Sequence, residues 1–369
     1  MKFKSEKDLL VEALAAASRV TSRTPGPTFG LLLTLTGNQL TITGTDLETT
    51  VRVTLDVIGI DDGAVVIPAR LLVDSTRLLD AGAVTVGLKS PDSDEVTVSL
   101  GRAAYSLRTY PLVDYPKLPA VPAPTSTLPA LDFVQGLSQV VSAASDDLSG
   151  RPLLTGVLFT QHEGTMRLVA TDSYRLSIRD VPGVPPLSSN GDVLVPAKTL
   201  TEVLRAASSL SVDSEIAISL SDSEVTFLVG SVAIASRLID GNFPDYRQLI
   251  PASYPNSLRV AKDTLSNSLR RARVVANEQN SSVKLTLREG GADVQSTAHD
   301  RGDVADNVDA DFQGEELTIA FNPKFLMEGI DAVVGDEIIL ETTDASRPAM
   351  IHGVDDLSFR YLIMPVRVQ

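Results

Sequence analysis

The heptapeptide VIPARLL at residues 66–72 decides the fold, because two variants of it recur at the spacing of one domain. The second copy is LVPAKTL at 194–200, and the third is AFNPKFL at 320–326. The prolines of the three copies lie 128 and 127 residues apart. Proline is favoured in the first turn of a helix, so each copy predicts the start of a helix at an equivalent place. A domain repeated three times is therefore predicted.

A second marker keeps the same spacing. Asp46, Asp172 and Asp300 each follow a strand-like run, at steps of 126 and 128 residues. Around these markers each repeat is predicted to open with a helix, which is followed by a hairpin, the proline-started helix and alternating strands. The sequence thus predicts an α+β fold of three tandem repeats, each with two helices and antiparallel sheets.

Proline-rich stretches separate the repeats. Residues 110–129 form the first predicted linker, and residues 250–255 form a shorter second one. We therefore expect domains at 1–120, 127–252 and 256–369. A chain of 369 residues is long enough for three domains that each bury a core.

Composition excludes several classes of protein. The absence of cysteine removes disulfides, thiolate metal sites and cysteine nucleophiles. No signal-peptide pattern and no apolar run of about 18 residues is visible, so we expect a cytoplasmic protein without a membrane partner. The net charge of −15 argues against an all-round basic surface, but an acidic exterior is compatible with a basic inner face.

No motif for catalysis is found. His162, His299 and His352 have no metal-ligand spacing, and the acidic stretch 92–95 lacks the pattern of a calcium loop. The sequence contains no glycine-rich phosphate loop and no Gly-x-Ser-x-Gly motif. We expect no catalytic residues, no metal and no cofactor, which favours a binding or scaffold protein.

Two stretches mix aromatic, arginine and turn residues in a way that is enriched at interfaces: ATDSYRL at 170–176 and NFPDYR at 242–247. The alternative interpretation is a hairpin corner and a linker. Together with YLIMPVR at 361–367, MKF at 1–3 and TGTDLE at 43–48, they resemble the bacterial sliding clamp, the beta subunit of DNA polymerase III. The resemblance runs from end to end and preserves order and spacing.

This resemblance implies a DNA-clamp fold in each repeat and a head-to-tail homodimer that closes into a six-domain ring. Such a ring encircles double-stranded DNA without reading its sequence and slides along it. It tethers the replicative DNA polymerase subunit, the clamp loader and other proteins with a clamp-binding motif. The chain would be a non-catalytic accessory subunit of a DNA-directed DNA polymerase, a processivity factor.

The resemblance also implies a hydrophobic pocket between the second and third domains that binds a short partner peptide. Carried over by motif, its residues are Leu154, Thr171, Tyr174, Arg175, Leu176, Pro244, Leu249, Leu362, Met364, Val366 and Arg367. An apolar groove accepts apolar anchors, while Arg175 and the backbone set their orientation. Tyr174, Val366 and Pro348 depart from the common residues of the family, which predicts a different peptide preference.

Basic residues are candidates for a DNA-facing surface. On helical spacing, Ser266, Arg270 and Arg273 lie at i, i+4 and i+7, and Lys198 and Arg205 lie seven residues apart. Arg23 matches a DNA-contacting arginine of the family, whereas Leu148 replaces a polar contact. Ordinary solvated basic residues remain the alternative for each.

The resemblance further implies a dimer interface. Tyr105 and Leu107 match the edge strand of the first domain, and Val274 and Val275 match a helix of the partner's third domain. Arg102 is expected to face acidic residues around Asp300 and Asp303, a pairing worth little if exposed.

Two other classes of function remain open from sequence. An enzyme with an unrecognised site would show turnover that a point mutation abolishes. An extracellular adhesive repeat array is suggested by the Thr, Ser and Asp content, but the missing secretion signal and the two helices per repeat disfavour it.

Overall fold

The computed structural model describes residues 1–24, 26–90, 93–148, 150–187, 191–276, 282–298 and 301–367. The first repeat alternates strands with two α-helices. Its elements are β1 (Lys2–Glu6), α1 (Lys7–Ser18), β2 (Gly30–Thr36), β3 (Gln39–Thr45), β4 (Thr49–Asp56), β5 (Ile58–Asp61), β6 (Gly63–Pro68), α2 (Ala69–Arg77), β7 (Ala83–Leu88), β8 (Glu95–Leu100) and β9 (Ala103–Arg108).

The second and third repeats follow the same order with small differences. The second has β10 (Ser126–Pro129), α3 (Ala130–Val140), β11 (Gly156–His162), β12 (Thr165–Thr171), β13 (Arg175–Val181), β14 (Val193–Pro196), α4 (Ala197–Ala207), β15 (Glu215–Leu220), β16 (Glu224–Val229) and β17 (Val232–Arg237). The third has β18 (Asn256–Ala261), α5 (Lys262–Val275), β19 (Val283–Arg288), β20 (Gly291–Ala298), β21 (Gly302–Asp309), β22 (Asp311–Gln313), β23 (Leu317–Phe321), α6 (Pro323–Ala332), β24 (Glu337–Thr342), β25 (Ala349–Gly353) and β26 (Phe359–Ile363).

The chain divides into two compact units. The first unit comprises residues 1–131 and 198–238, and the second comprises residues 132–197 and 239–369. Within the described residues, the first unit contains a sheet ordered β5-β1-β7-β8-β9 and a sheet ordered β10-β15-β16-β17-β4-β3-β2-β6. The second unit contains a sheet ordered β14-β11-β12-β13-β26-β25-β24-β18-β22 and a sheet ordered β21-β20-β19-β23.

The long sheet of each unit therefore joins two repeats. In the first unit β4 of the first repeat pairs antiparallel with β17 of the second, and we call this junction the first seam. In the second unit β13 of the second repeat pairs antiparallel with β26 of the third, and we call this junction the second seam. The central repeat is consequently shared between the two units.

The predicted proline-started helices are confirmed as α2, α4 and α6. The cap of α6 follows from its sequence, since the Asn322 side chain accepts hydrogen bonds from the backbone N–H groups of Lys324 at 2.9 Å and Phe325 at 3.4 Å. The prediction of mixed helices and antiparallel sheets is confirmed as well.

One expectation about element order was wrong. Each repeat begins with a short strand, not with its helix, and the end of the predicted first linker is strand β10. The reason is tertiary, because β10 gains its partner from β15, nearly ninety residues further along the chain. A four-residue segment carries too little pattern to predict such pairing.

The helices pack by one apolar face. In α1, Leu10, Ala13, Leu14 and Ala17 are buried at three- and four-residue spacing. The third repeat has its own core of buried apolar side chains drawn from α5, α6 and both sheets of the second unit. In the described part of the chain, no helix combines the length and apolar character needed to cross a membrane.

Candidate functional site

A tight turn begins the second seam. The Oδ1 atom of Asp172 accepts hydrogen bonds from the backbone N–H of Tyr174 at 2.9 Å and of Arg175 at 3.0 Å. The Thr171 hydroxyl accepts from the N–H of Ser173, which has a positive φ of 79°. Short polar side chains that bond to nearby backbone favour such turns. The turn sets Tyr174 at the surface and sends Arg175 inwards.

Arg175 is the centre of a buried polar network. Its Nε donates to Asp172 at 3.0 Å, and its Nη atoms donate to Glu328 of α6, to the Ser142 carbonyl and, at 3.5 Å, to the Tyr361 hydroxyl. The guanidinium carbon also lies 4.3 Å from the centre of the Phe325 ring. These contacts join β13, β26 and α6 through one side chain.

The charge of this network is strongly maintained. Burial by itself would lower the pKa of Arg175, but the neighbouring Tyr361 and Glu328 outweigh it, so the pKa is raised above its ordinary value. Burial in turn raises the pKa of the Tyr361 phenol. Arg175 therefore stays protonated and Tyr361 stays neutral across the physiological range.

An apolar surface lies next to this network. Leu176 and Leu362 are directly opposite each other in the second seam and are both buried. They belong to a cluster that continues into the partly buried Phe243 and Ile250 of the segment after β17. Tyr174 is 65% exposed and stacks on Phe325 at 6.4 Å between ring centres.

All eleven predicted pocket residues lie in the second unit. Leu154, Thr171, Arg175, Leu176 and Leu362 are buried, and the others stand at the surface: Tyr174, Pro244, Leu249, Met364, Val366 and Arg367. The backbone N–H of Met364 donates to the Tyr174 carbonyl at 2.9 Å, which fixes the exit of the chain from β26. A buried apolar floor with exposed apolar side chains beside it is the composition of a peptide-binding surface.

Sequence reasoning missed two residues of this site, Glu328 and Phe325. A usable signal existed for Glu328, because it follows Lys324 by four residues, as Glu202 follows Lys198 in the preceding copy of the heptapeptide. Phe325 had no comparable signal, since Thr199 occupies the equivalent place.

Most of the predicted DNA-facing residues are exposed but differ in their bonding. Lys198 pairs with Asp46, Arg205 with Glu202, and Arg270 with Asn267 at 2.9 Å. Arg23 and Arg273 are also exposed. Ser266 was wrongly placed on this face, because it is 2% exposed. Helix α5 buries Ser266 and Ser268 beside its leucines, which makes its buried stripe wider than the apolar pattern indicated.

The residues predicted for the dimer interface differ in exposure and come from both units. Tyr105 and Leu107 belong to β9, an edge strand of the first unit, and Leu107 is already buried within the chain. Val274 is 76% exposed on α5, and Val275 is half-buried. Arg102 is exposed in the turn before β9.

The acidic residues proposed to face Arg102 are only partly described. Asp303 lies at the start of β21, an edge strand of the second unit. Asp300 lies outside the described residues, as do His299 and part of the acidic stretch 92–95. Among the residues that are described, no group of three or more His, Cys, Asp or Glu side chains is placed to hold a metal ion.

Comparison with known proteins identifies the class of protein to which this chain belongs. Three family models match in chain order: the N-terminal domain of the DNA polymerase III beta subunit at residues 1–119, its central domain at 127–245 and its C-terminal domain at 247–367. The "Beta sliding clamp" of Streptomyces coelicolor is 33% identical over 384 residues, covering 100% of both chains.

Solved structures agree with the sequence comparison. A DnaN sliding clamp (DNA polymerase III subunit beta) from Bartonella birtlesii bound to griselimycin is 28% identical, with a TM-score of 0.90 and 100% coverage of both chains. The DNA polymerase sliding clamp from Bacillus subtilis is 27% identical, with a TM-score of 0.87 and the same coverage. The chain belongs to the family of the bacterial DNA polymerase III beta subunit, the beta sliding clamps, and has their three-domain clamp fold.

Proposed function

We propose that this chain is the processivity factor of a replicative DNA polymerase, a homodimeric ring that encircles duplex DNA and slides along it. Membership of a family of non-catalytic clamps supports this proposal. The proposal includes domains at 1–120, 127–252 and 256–369 and a cytoplasmic site of action, both of which are expectations from sequence. Because topological linkage replaces tight phosphate binding, an acidic chain is compatible with the role.

The observation that carries the proposal is the repeated seam. The third strand after the first helix of a repeat is β4, β13 or β21, and the last strand of a repeat is β9, β17 or β26. Inside the chain, β4 pairs with β17 and β13 pairs with β26. Strands β21 and β9 are the remaining members of the two sets, and each is at the edge of its sheet. Pairing β21 with β9 of a second copy covers both edges and repeats the same junction.

The existing seams predict the register of this third one. In the first seam Thr49 is opposite Ser236, and in the second Arg175 is opposite Ile363. Asp303 holds the place of Thr49 and Arg175, three residues after the marker aspartate. Leu107 holds the place of Ser236, counted from the turn glycines Gly101 and Gly230. We therefore expect Asp303 opposite Leu107 of the second copy, and Ala305 opposite Tyr105.

Exposed apolar residues on the helices fit the same arrangement. Val274 is the thirteenth residue counted from the start of α5. The residues at the same count from the starts of α1 and α3 are Arg19 and Ser142, which are polar. On α2 and just after it, Leu71 and Leu78 are 49% and 76% exposed. Burying such side chains against a second copy favours association by about 25 cal/mol for each Å² of apolar surface.

A head-to-tail dimer is tested by its mass in solution. Sedimentation equilibrium should give twice the 39.2 kDa of one chain. Val274→Asp should give a monomer, because a charge would be buried at the interface. Val212→Asp is the matched control, since Val212 is also exposed, at 68%, but belongs to the loop between α4 and β15 and to neither edge strand. A dimer that survives Val274→Asp contradicts the proposed interface.

Encirclement of DNA is tested by topology. After loading by the clamp loader onto nicked circular DNA, the protein should remain bound in gel filtration at high salt. A restriction cut should release it, because a ring slides off a free end. Retention on the linearised DNA would indicate ordinary binding and would contradict the ring. Replacing Arg23, Arg273 or another predicted DNA-facing basic residue by an uncharged one should weaken loading onto DNA more than retention on it. Retention is topological and does not depend on these charges.

The partner-binding face is proposed on the apolar surface of the second unit. Its buried Leu176–Leu362 floor and its exposed Tyr174, Leu249 and Met364 suit a short peptide with apolar anchors. The griselimycin-bound clamp from Bartonella birtlesii supports a ligand-binding face in this family. The polymerase subunit, the clamp loader and other clamp-binding proteins would compete for it.

A further inference from the structure

A second, unassigned cleft lies in the first unit. Helices α1 and α4 form its sides, and strands β4 and β17 of the first seam form its floor. Its volume is about 710 Å³. Ligand-binding pockets typically measure about 300–1,000 Å³. The cleft shares none of its lining with the partner-binding face, whose residues all lie in the second unit.

The size of this cleft has a cause in single residues. The corresponding cleft of the second unit, between α3 and α6, measures about 390 Å³. There the Gln139 side chain donates to the Ala332 carbonyl at 2.6 Å and so ties the two helices together. Ala16 of α1 stands at the position of Gln139, ten residues into its helix, and has no side chain that could make this link. The first cleft is therefore left open.

The lining combines apolar walls with a charged end. Val51, Val53, Val232 and Ile234 contribute the floor. At one end Glu202, 5% exposed, accepts from Arg19 Nε at 2.6 Å and from Arg205. These are two guanidinium groups around one carboxylate, so this end carries a surplus positive charge.

Some N–H groups of the two arginines at the charged end of the cleft are available to a ligand. Within the described residues, the Nη atoms of Arg19 and the Nε of Arg205 have no hydrogen-bond partner. Glu12 also lines the cleft, but seven residues of helix separate it from Arg19, a distance of about 10 Å along the axis. An anionic group is thus attracted to the arginine end, and an uncharged body to the valine floor.

We propose that the α1–α4 cleft binds a small amphiphilic anion, with its apolar body over the first seam and its anionic group on Arg19 and Arg205. This inference goes beyond the clamp function and does not depend on it. A suitable probe is 8-anilinonaphthalene-1-sulfonate, an apolar aromatic anion whose fluorescence rises in apolar sites. N-phenyl-1-naphthylamine has the same skeleton without the sulfonate and serves as its uncharged match.

The experiment is a fluorescence titration of the whole dimeric protein carrying Met364→Asp, which suppresses probe binding at the partner face. Ala16→Gln places the residue of the narrower cleft into the wider one and should weaken binding of both probes by at least about tenfold. Arg205→Gln should weaken the sulfonate by about tenfold and leave the amine unchanged, because only one probe uses the charge.

Each result decides part of the proposal. Equal binding before and after Ala16→Gln would show that the probe lies elsewhere and would overturn the site. Equal loss of both probes in Arg205→Gln would overturn the anionic preference. Gln139→Ala is the control, since it alters the other cleft and should leave binding unchanged. Circular dichroism of each variant shows whether it is folded, and Arg205, with its side chain 52% exposed, is a tolerant position.

Discussion

The two seams of this chain share a backbone and differ in their side chains. Both begin with an aspartate-led turn, in which Asp46 accepts from Thr49 N–H at 2.8 Å and Asp172 accepts from Arg175 N–H at 3.0 Å. Both end with one further hydrogen bond, from Arg237 to the Glu48 carbonyl and from Met364 to the Tyr174 carbonyl. The backbone hydrogen-bond pattern is therefore the same in both seams and does not depend on whether a seam binds a partner.

The side chains on the ladder decide which seam can bind a partner. The first seam places Thr50 opposite Ala235, whereas the second places Leu176 opposite Leu362 at the equivalent positions. Only the second pair forms an apolar floor. The difference explains why one chain with two seams is expected to have a single peptide-binding face.

The equivalent glutamates of the two seams, Glu202 of α4 and Glu328 of α6, are neutralised differently. Buried Glu202 pairs with Arg19 and Arg205, whereas the partly exposed Glu328 pairs with Arg175 and, at 4.0 Å, with Lys324. The first ladder position also differs. In the first seam Thr49 forms a hydrogen bond with Thr199 at 3.2 Å, whereas in the second seam Arg175 lies over the ring of Phe325. In the second seam, strand β13 supplies the cation, Arg175, and so couples the proposed peptide-binding face to α6.

Replacing Arg175 should produce the largest loss of stability. Arg175→Met leaves Asp172 and Glu328 without their shared cation, and we expect the free energy of unfolding to fall by about 3 kcal/mol. Thr49→Val at the equivalent position should cost about 1 kcal/mol, because only a hydroxyl pair is lost. Urea unfolding at one protein concentration measures both. Equal losses would mean that the two seams are held in the same way.

A charge at Met364 should separate the seams by function. Met364→Asp should weaken binding of a clamp-binding peptide by roughly thirtyfold, because it puts a carboxylate beside the apolar floor. Arg237→Asp, at the equivalent place, which is the last residue of β17, should leave peptide affinity unchanged. Fluorescence anisotropy with a labelled peptide measures both, with sedimentation to show that each variant is still a dimer. Unchanged affinity in Met364→Asp would refute the pocket assignment.

Tyr115 offers a smaller, pH-dependent difference in the first unit. Its hydroxyl donates to the Thr43 carbonyl at 3.2 Å, and burial raises the pKa of Tyr115 to about 12. The pKa of an exposed tyrosine is about 10. The stabilisation is thus complete below pH 10 and is lost as the pH rises through 12.

Tyr115→Phe should remove one high-pH tyrosine from the absorbance titration at 295 nm. It should also flatten the fall of unfolding free energy between pH 10 and 12. Tyr254 of the second unit, whose pKa burial likewise raises to about 12, should still titrate there. An unchanged titration in Tyr115→Phe would mean that this phenol is not the buried group.

Removing the hydrogen bond between α3 and α6 should have the smallest effect on stability. Gln139→Ala removes the hydrogen bond to the Ala332 carbonyl and should lower the unfolding free energy by about 1 kcal/mol. Ala16→Gln can form the corresponding link in the first unit and should change stability by less than this. Urea unfolding tests both variants. A larger loss for Ala16→Gln would show that the first cleft must stay open for packing.

Much of the fold was predictable from sequence because its signals are local. The proline copies mark helix starts, and glycines such as Gly37 and Gly164 mark hairpins with the positive φ that glycine favours. The pocket set was carried over from the family resemblance and comes from four separate segments of the chain, and the structure places all of its residues in one unit. Its buried support was not predictable, because Arg175 reaches Glu328 across 153 residues.

The sequence by itself determined that this protein has three α+β repeats and no recognisable catalytic motif, because repeat spacing and apolar periodicity are written along the chain. Only the tertiary structure decided that each long sheet joins two repeats, with Thr49 opposite Ser236 and Arg175 opposite Ile363. Such pairings span nearly 190 residues, and no local preference encodes them. They arise because an unpaired strand edge is covered by whichever complementary edge the folded repeats bring to it.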